Sequence, residues 1–332
     1  RKTTVPIQIG LILGATLMIT TEMFASGCKG KNPAEEAKSQ NQENTEIEET
    51  KAETPKPGVN DDGIYIYAPK AALDFNSSYT YGEIIHKSYY SKTAEKEKNV
   101  AVMLPPNYTP EKKYPVLYLL HGIFGDENSM IGSKTSGCAV TISNMMNSGE
   151  ASEMIVVFPF MYTSKTQPQC TAIDEPNIEA YDIFVEDLAE SLMPWMKENF
   201  SILEGRENTA ITGFSMGGRE ALAIGLQRPD LFGYIGSIAP APGLTPGKDF
   251  AAVHKGQFTE DGLKFKDGDP LPKFILLCAG DRDSVVGSFP VSYHNIFTKN
   301  EVDHIWWFVP GSDHGDPAIS SGIYNFCKRI FK

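Results

Sequence analysis

The sequence predicts an α/β fold in which helices cover both faces of a mostly parallel central sheet. Short apolar runs of strand length recur, segments of helical spacing lie between them, and several runs end in glycine-containing turns. Strands covered on both faces read as continuous apolar stretches rather than alternating ones. Ligands in such sheets bind at the carboxyl ends of the strands, so the chemistry is to be sought just after each run.

Taken in order, the runs are residues 100–104, 116–120, 154–158, 210–214, 234–239, 274–279 and 305–309, each rich in β-branched or aromatic residues. The clearest helical pattern spans 178–200, where Tyr181, Phe184, Val185, Leu188, Leu192, Trp195 and Met196 recur at three-to-four spacing. Neither an internal repeat nor a second linker divides 63–332, a stretch of the size of one large α/β domain.

The whole chain has 332 residues, with 30 Lys and Arg against 42 Asp and Glu, a formal charge of −12. That balance excludes a basic nucleic-acid footprint, so no nucleic acid is expected as a partner. The N-terminal residues are different material. Arg1 and Lys2 precede an uncharged stretch over 3–21, which reads as the n-region and h-region of a secretory signal covering 1–27. Pro6, Gln8, Gly10 and Gly14 dilute it too far for a spanning helix. Phe24, Ala25, Ser26 and Gly27 before Cys28 resemble the lipobox of bacterial lipoproteins, which implies lipidation at Cys28 and a membrane partner only through that anchor. Residues 28–62 hold no aromatic residue, and 29–62 carry five Lys against nine Asp and Glu, which predicts a disordered acidic tether. The expected location is outside the cytoplasm.

Three loops carry candidate chemistry. Gly213, Phe214, Ser215, Met216 and Gly217 form a G-x-S-x-G pattern between the run ending at 214 and a helical stretch that Pro229 stops. A strand-turn-helix of this kind pushes the Ser215 hydroxyl to the top of the sheet, beside backbone N–H groups that favour negative charge. Upstream, His121, Gly122, Ile123, Phe124 and Gly125 follow the 116–120 run. A carbonyl attacked by Ser215 would become an oxyanion needing two fixed donors, and the N–H groups of Met216 and Ile123 are the candidates. His121 reads as the fastener of this loop rather than a catalytic group.

A serine needs a base and an orienting acid. Two acids, Asp281 and Asp283, follow the 274–279 run, and His314 follows the 305–309 run among small residues. His86, His254 and His294 do not follow strand ends, and His304 precedes a strand, at the wrong end of the sheet. The order Ser, Asp, His differs from both serine-protease orders. No metal-ligand spacing accompanies the Asp-His pairs at 303/304 and 313/314, so neither metal nor cofactor is expected.

Together these residues resemble the α/β-hydrolase esterase family, and in particular the feruloyl-esterase domains attached to bacterial xylanases, in carbohydrate esterase family one. The likeness runs from about Gly82 to the C-terminus. It includes Leu104 to Tyr108, Tyr114 to Gly122, Phe184 to Leu188, the Ser215 motif, Asp283 with Ser284, and Gly311 to His314. It implies an α/β-hydrolase fold, Ser215 as nucleophile, His314 as base, and Asp283 rather than Asp281 as the acid, because the family acid closes a G-x-x-D pattern, here Gly280 to Asp283. Where the family often has a second glycine after His-Gly-Ile, this chain has Phe124. The stretch 163–177 also departs from the family and is expected to border the acyl or sugar pocket.

The resemblance implies a serine carboxylesterase whose partner is feruloylated or acetylated xylan oligosaccharide. Siderophore or other small acyl esters are the alternative within the family. A non-catalytic carbohydrate-binding lipoprotein on a hydrolase fold is the alternative of another class, disfavoured because every expected catalytic position is filled. Of the remaining cysteines, Cys278 and Cys327 read as core residues, while Cys138 and Cys170 lie in loop-like polar stretches and are candidates for a disulfide near the site mouth.

Overall fold

A computed structural model describes residues 58, 60 and 62–332. The expected signal, Cys28 and most of the acidic segment lie outside the described residues. Eight strands form one sheet: β1 (Ile84–Ser91), β2 (Lys96–Met103), β3 (Val116–Leu120), β4 (Ile155–Pro159), β5 (Thr209–Gly213), β6 (Tyr234–Ile238), β7 (Phe274–Gly280) and β8 (Ile305–Val309). Their spatial order is β1-β2-β4-β3-β5-β6-β7-β8. The pairings of β1 with β2 and of β2 with β4 are antiparallel, and every other pairing is parallel. The sheet is therefore mostly parallel, with an antiparallel hairpin at one edge.

Alternation along the central strands sorts side chains to two cores. Val116, Tyr118 and Leu120 of β3 enter one apolar cluster, and Leu117 and Leu119 enter the other. Helices α1 (Cys138–Ser148) and α5 (Ala318–Cys327) cover the second face. The first is covered by α2 (Glu175–Asp182), the helical run after it, α3 (Met216–Gln227) and α4 (Phe289–Lys299). Each large aliphatic side chain buried there contributes about 1.5–3 kcal/mol against exposure.

The helix expected over 178–200 differs in two respects. It begins earlier, at Glu175, because Asp174 caps it by accepting the Asn177 N–H at 3.1 Å. It is also broken into Phe184–Asp187, a π-turn at Leu188–Leu192 and Met193–Asn199. Pro194 has no N–H to give to the carbonyl of Glu190, so the ladder widens where an α-helical bond is missing.

Register sets where the loops meet. Leu120 of β3 pairs with Gly213 of β5, so the loops after these two strands leave the sheet side by side. Val309 of β8 pairs with Gly280 of β7, which brings the 281–283 and 310–314 loops together in the same way. An isolated parallel bridge from Phe214 to Ile238 carries β5 one residue further towards the site. Among the described residues, no helix is long and apolar enough to cross a membrane.

Candidate active site

Ser215 sits between β5 and α3 with φ 57° and ψ −118°, a backbone conformation that ordinary residues rarely adopt. Three backbone bonds hold it there. Its N–H donates to Ile238 O at 2.9 Å, and its carbonyl accepts the N–H groups of Arg219 and Ala241, both at 3.0 Å. The glycines of the motif are needed by contact. A Cβ on Gly213 would lie 2.7 Å from Leu120 Cβ, and one on Gly217 would run into the carbonyls of Leu120 and His121. Strand and helix thus pack too closely for any side chain at either position.

The structure brings His314 and Asp283 to Ser215. His314 Nε2 lies 2.9 Å from Ser215 Oγ, and His314 Nδ1 lies 2.7 Å from Asp283 Oδ2. Phe214 packs on the imidazole with ring centroids 4.6 Å apart. Asp283 is buried, and burial pushes its carboxyl up. The His314 hydrogen bond and the N–H groups of Val286 and Val285 outweigh this and hold it below the usual carboxylate range. Asp281 is elsewhere: its Oδ1 accepts the Gly311 N–H at 2.7 Å and ties the two loops together. The remaining histidines stay apart from Ser215. His86 is exposed on β1, His254 meets Asp249, and His294 and His304 bond each other at 2.8 Å.

Met216 opens α3, where a first-turn N–H has no acceptor within the helix. Ile123 follows Gly122, whose ideal Cβ position lies 3.5 Å from Ser215 Cβ. The Gly122 carbonyl turns away to accept the Gly125 N–H at 3.1 Å and to meet His121 Nδ1 at 2.7 Å. Since a trans peptide sets its N–H opposite its carbonyl, the Ile123 N–H points away from those partners. His121 Nε2 accepts the Met161 N–H at 3.0 Å, which fixes the tautomer with the proton on Nδ1. Burial lowers the His121 pKa to about 4, so the ring is neutral and fastens the loop. Phe124 stands where the glycine is absent and adopts φ +63°, a conformation that glycine favours.

Two supports of the site, Tyr181 and Arg219, lie outside the candidate residues. The Tyr181 hydroxyl accepts the Phe124 N–H at 3.2 Å and so anchors the turn from α2. Arg219, fully buried one helical turn after Ser215, pairs with Glu220 and Asp182 and reaches Pro242 O at 3.4 Å. It thereby braces the loop whose Ala241 N–H bonds Ser215. A charged pair inside the otherwise apolar stretch 216–226 was the available clue. The candidate disulfide is corrected: Cys138 and Cys170 are both free, because they belong to the apolar clusters on opposite faces of the sheet. Among the described residues, no three His, Cys, Asp or Glu side chains gather as a metal site.

Residues 91–290 match the family model Esterase, described as "Putative esterase". A curated relative, the endo-1,4-beta-xylanase/feruloyl esterase of Xylanibacter ruminicola, is 28% identical over 170 residues, covering 50% of this chain and 22% of that protein. Endo-1,4-beta-xylanase Y of Acetivibrio thermocellus is 27% identical over 177 residues, covering 50% of this chain and 15% of that one. The chain therefore spans about a fifth or less of the length of these relatives. Among solved structures, a CE1 ferulic acid esterase from Anaeromyces mucronatus in complex with ferulic acid superposes with a TM-score of 0.76 and 42% identity, over 81% of this chain and 97% of that one. With the family model covering more than half of its residues, and with its sheet order and loop positions described above, the chain is an α/β-hydrolase belonging to this esterase family.

Proposed function

We propose that this protein is a serine carboxylesterase that releases feruloyl groups from plant cell-wall xylan, with acetyl groups as the next class of substrate. The observation that carries the reading is the hydrogen-bonded series from Ser215 Oγ through His314 to Asp283 at the carboxyl ends of the strands. Its 42% identity to a ferulic acid esterase, over nearly all of that chain, supports the acyl group.

In this mechanism His314 Nε2 takes the Ser215 proton as Oγ attacks the ester carbonyl. The carbonyl oxygen becomes an oxyanion that receives the N–H groups of Met216 and Ile123. Asp283 keeps the His314 proton on Nδ1 and stabilises the imidazolium. Collapse expels the sugar alcohol, which takes the proton from His314. Water then attacks the acyl-enzyme by the same route, releasing the free acid and restoring Ser215. The steps use only side chains, backbone donors and water.

Export and anchoring through Cys28 complete the proposal, supported by the apolar 3–21 stretch and the small residues before the cysteine. An exported esterase meets polysaccharide rather than cytoplasmic thioesters. The test compares turnover of methyl ferulate and p-nitrophenyl acetate by the wild type and by Ser215→Ala, with fluorophosphonate labelling as a second readout. Full activity of Ser215→Ala, or label on another residue, refutes the mechanism. A wild type that cleaves only the acetate ester refutes the feruloyl assignment.

A further inference from the structure

The Gly122–Gly125 turn holds a side chain that the reaction above leaves unused. Gly125 N–H closes the turn on Gly122 O at 3.1 Å, and Phe124 occupies its third position at φ +63°. That position in such a turn favours glycine, because a Cβ is strained there. Phe124 is also 54% exposed. A large apolar ring left in water on a strained backbone serves fold stability on neither count, and yet Tyr181 fixes it in place through the Phe124 N–H.

Its position indicates what it serves. Gly122 lies against Ser215, and two peptide units separate Gly122 from Phe124, a reach of at most roughly 7 Å. An acyl carbon bonded to Ser215 Oγ, with its oxygen at the Ile123 N–H, lies beside this turn, and a substituent directed along the turn runs towards Phe124. A short aliphatic acyl group ends before reaching Phe124. An arylpropenoyl group extends a rigid vinyl arm and carries its ring outward over that span. We propose that Phe124 is a specificity-determining residue whose ring stacks on the aryl ring of the acyl group and so selects arylpropenoyl over short aliphatic esters. This rests on the acyl-transfer reading above and names the feature of this chain that would set its acyl preference.

The test measures methyl ferulate and methyl acetate hydrolysis by the wild type, Phe124→Gly, Phe124→Leu and Phe124→Trp, alongside thermal melts. Phe124→Gly is expected to melt at or above the wild type, because glycine relieves the positive φ. Its ratio of kcat/KM for methyl ferulate over methyl acetate is expected to fall roughly tenfold, the loss of one aromatic pair, through KM rather than kcat. Phe124→Trp keeps the ratio and Phe124→Leu loses it. An unchanged ratio in Phe124→Gly overturns the inference, as do parallel losses on both esters, which would make the ring a mere shaper of the oxyanion turn. Equal ratios for Phe124→Leu and Phe124→Trp also overturn it, even where the glycine variant does not fold. A wild type inactive on methyl ferulate but active on methyl acetate overturns the feruloyl reading together with this inference, whereas an active wild type with an insensitive ratio overturns the inference alone.

Discussion

Asp281 and Asp283 stand two residues apart on one loop and serve different partners: Asp283 Oδ2 lies 2.7 Å from His314 Nδ1, while Asp281 Oδ1 takes the Gly311 N–H at 2.7 Å. One carboxylate orients the imidazole and the other fastens the loop that carries it. The pairing of Gly280 with Val309 allows both, since it sets the two loops side by side as they leave the sheet.

Asparagine at each position separates the roles. Asp283→Asn removes the charge beside the imidazole and offers Nδ1 a donor or a weaker acceptor, so kcat on methyl ferulate is expected to fall about 10³- to 10⁴-fold with little change in KM. Asp281→Asn keeps an oxygen for the Gly311 N–H and is expected to lose only a small fraction of that. Steady-state kinetics of the two variants check this, and comparable losses in both would contradict the division of labour.

Much of the sheet and the site could be read from the chain, and the reasons differ by residue. The 116–120 run is buried on both faces and the 305–309 run, although at the sheet's edge with Phe308 exposed, is apolar throughout, so their apolar continuity matched β3 and β8 to the residue. Ser215 and His314 were legible because each follows such a run with small neighbours. Asp281 and Asp283 could not be separated on physical grounds, because the choice depends on register between β7 and β8. The start of β2, before residue 100, was hidden by polarity: a lysine side chain is ordinarily solvated, yet Lys98 is buried and pairs with Asp187 at 2.7 Å from 89 positions away. Such a pair exists only after folding, and neither residue's own neighbourhood signals it.

The strained backbone of Ser215 predicts a trade between stability and chemistry. Glycine adopts φ 57°, ψ −118° at less cost than serine. Ser215→Gly is therefore expected to gain about 1 kcal/mol of unfolding free energy while losing activity. Urea melts of Ser215→Gly against Ser215→Ala measure the gain, because alanine keeps the Cβ and the strain. Equal midpoints for the two variants would show that the strain is absent in solution.

Gly217 has no comparable freedom. Its missing Cβ is the space into which the Leu120 and His121 carbonyls pack, and backbone cannot yield as a side-chain tip can. Gly217→Ala is expected to lose about 3 kcal/mol through overpacking. It should also lose esterase activity, since relief of the clash would move α3 away from β3 and with it the Met216 N–H. Chemical denaturation and kinetics on one preparation test both. Wild-type stability with wild-type activity would mean that strand and helix are not closely apposed at Gly217 in solution.

His121 links the Gly122–Gly125 turn to acid sensitivity. Its ring is buried and neutral, with its pKa lowered to about 4 from an ordinary value of 6.5. In the unfolded chain the ring takes up a proton near pH 6.5, whereas the folded chain resists until about pH 4. As pH falls through that window the unfolded state binds more protons, so stability present above pH 6.5 is progressively lost, by up to about 3 kcal/mol. His121→Gln retains an amide N–H for Gly122 O and an oxygen for the Met161 N–H, but it does not titrate. Urea melts between pH 7.5 and 4.5 are therefore expected to show a shallower acid decline for His121→Gln than for the wild type. Parallel curves would mean that His121 stays accessible to protons in the folded state, and the turn that carries Ile123 and Phe124 would then need another fastener.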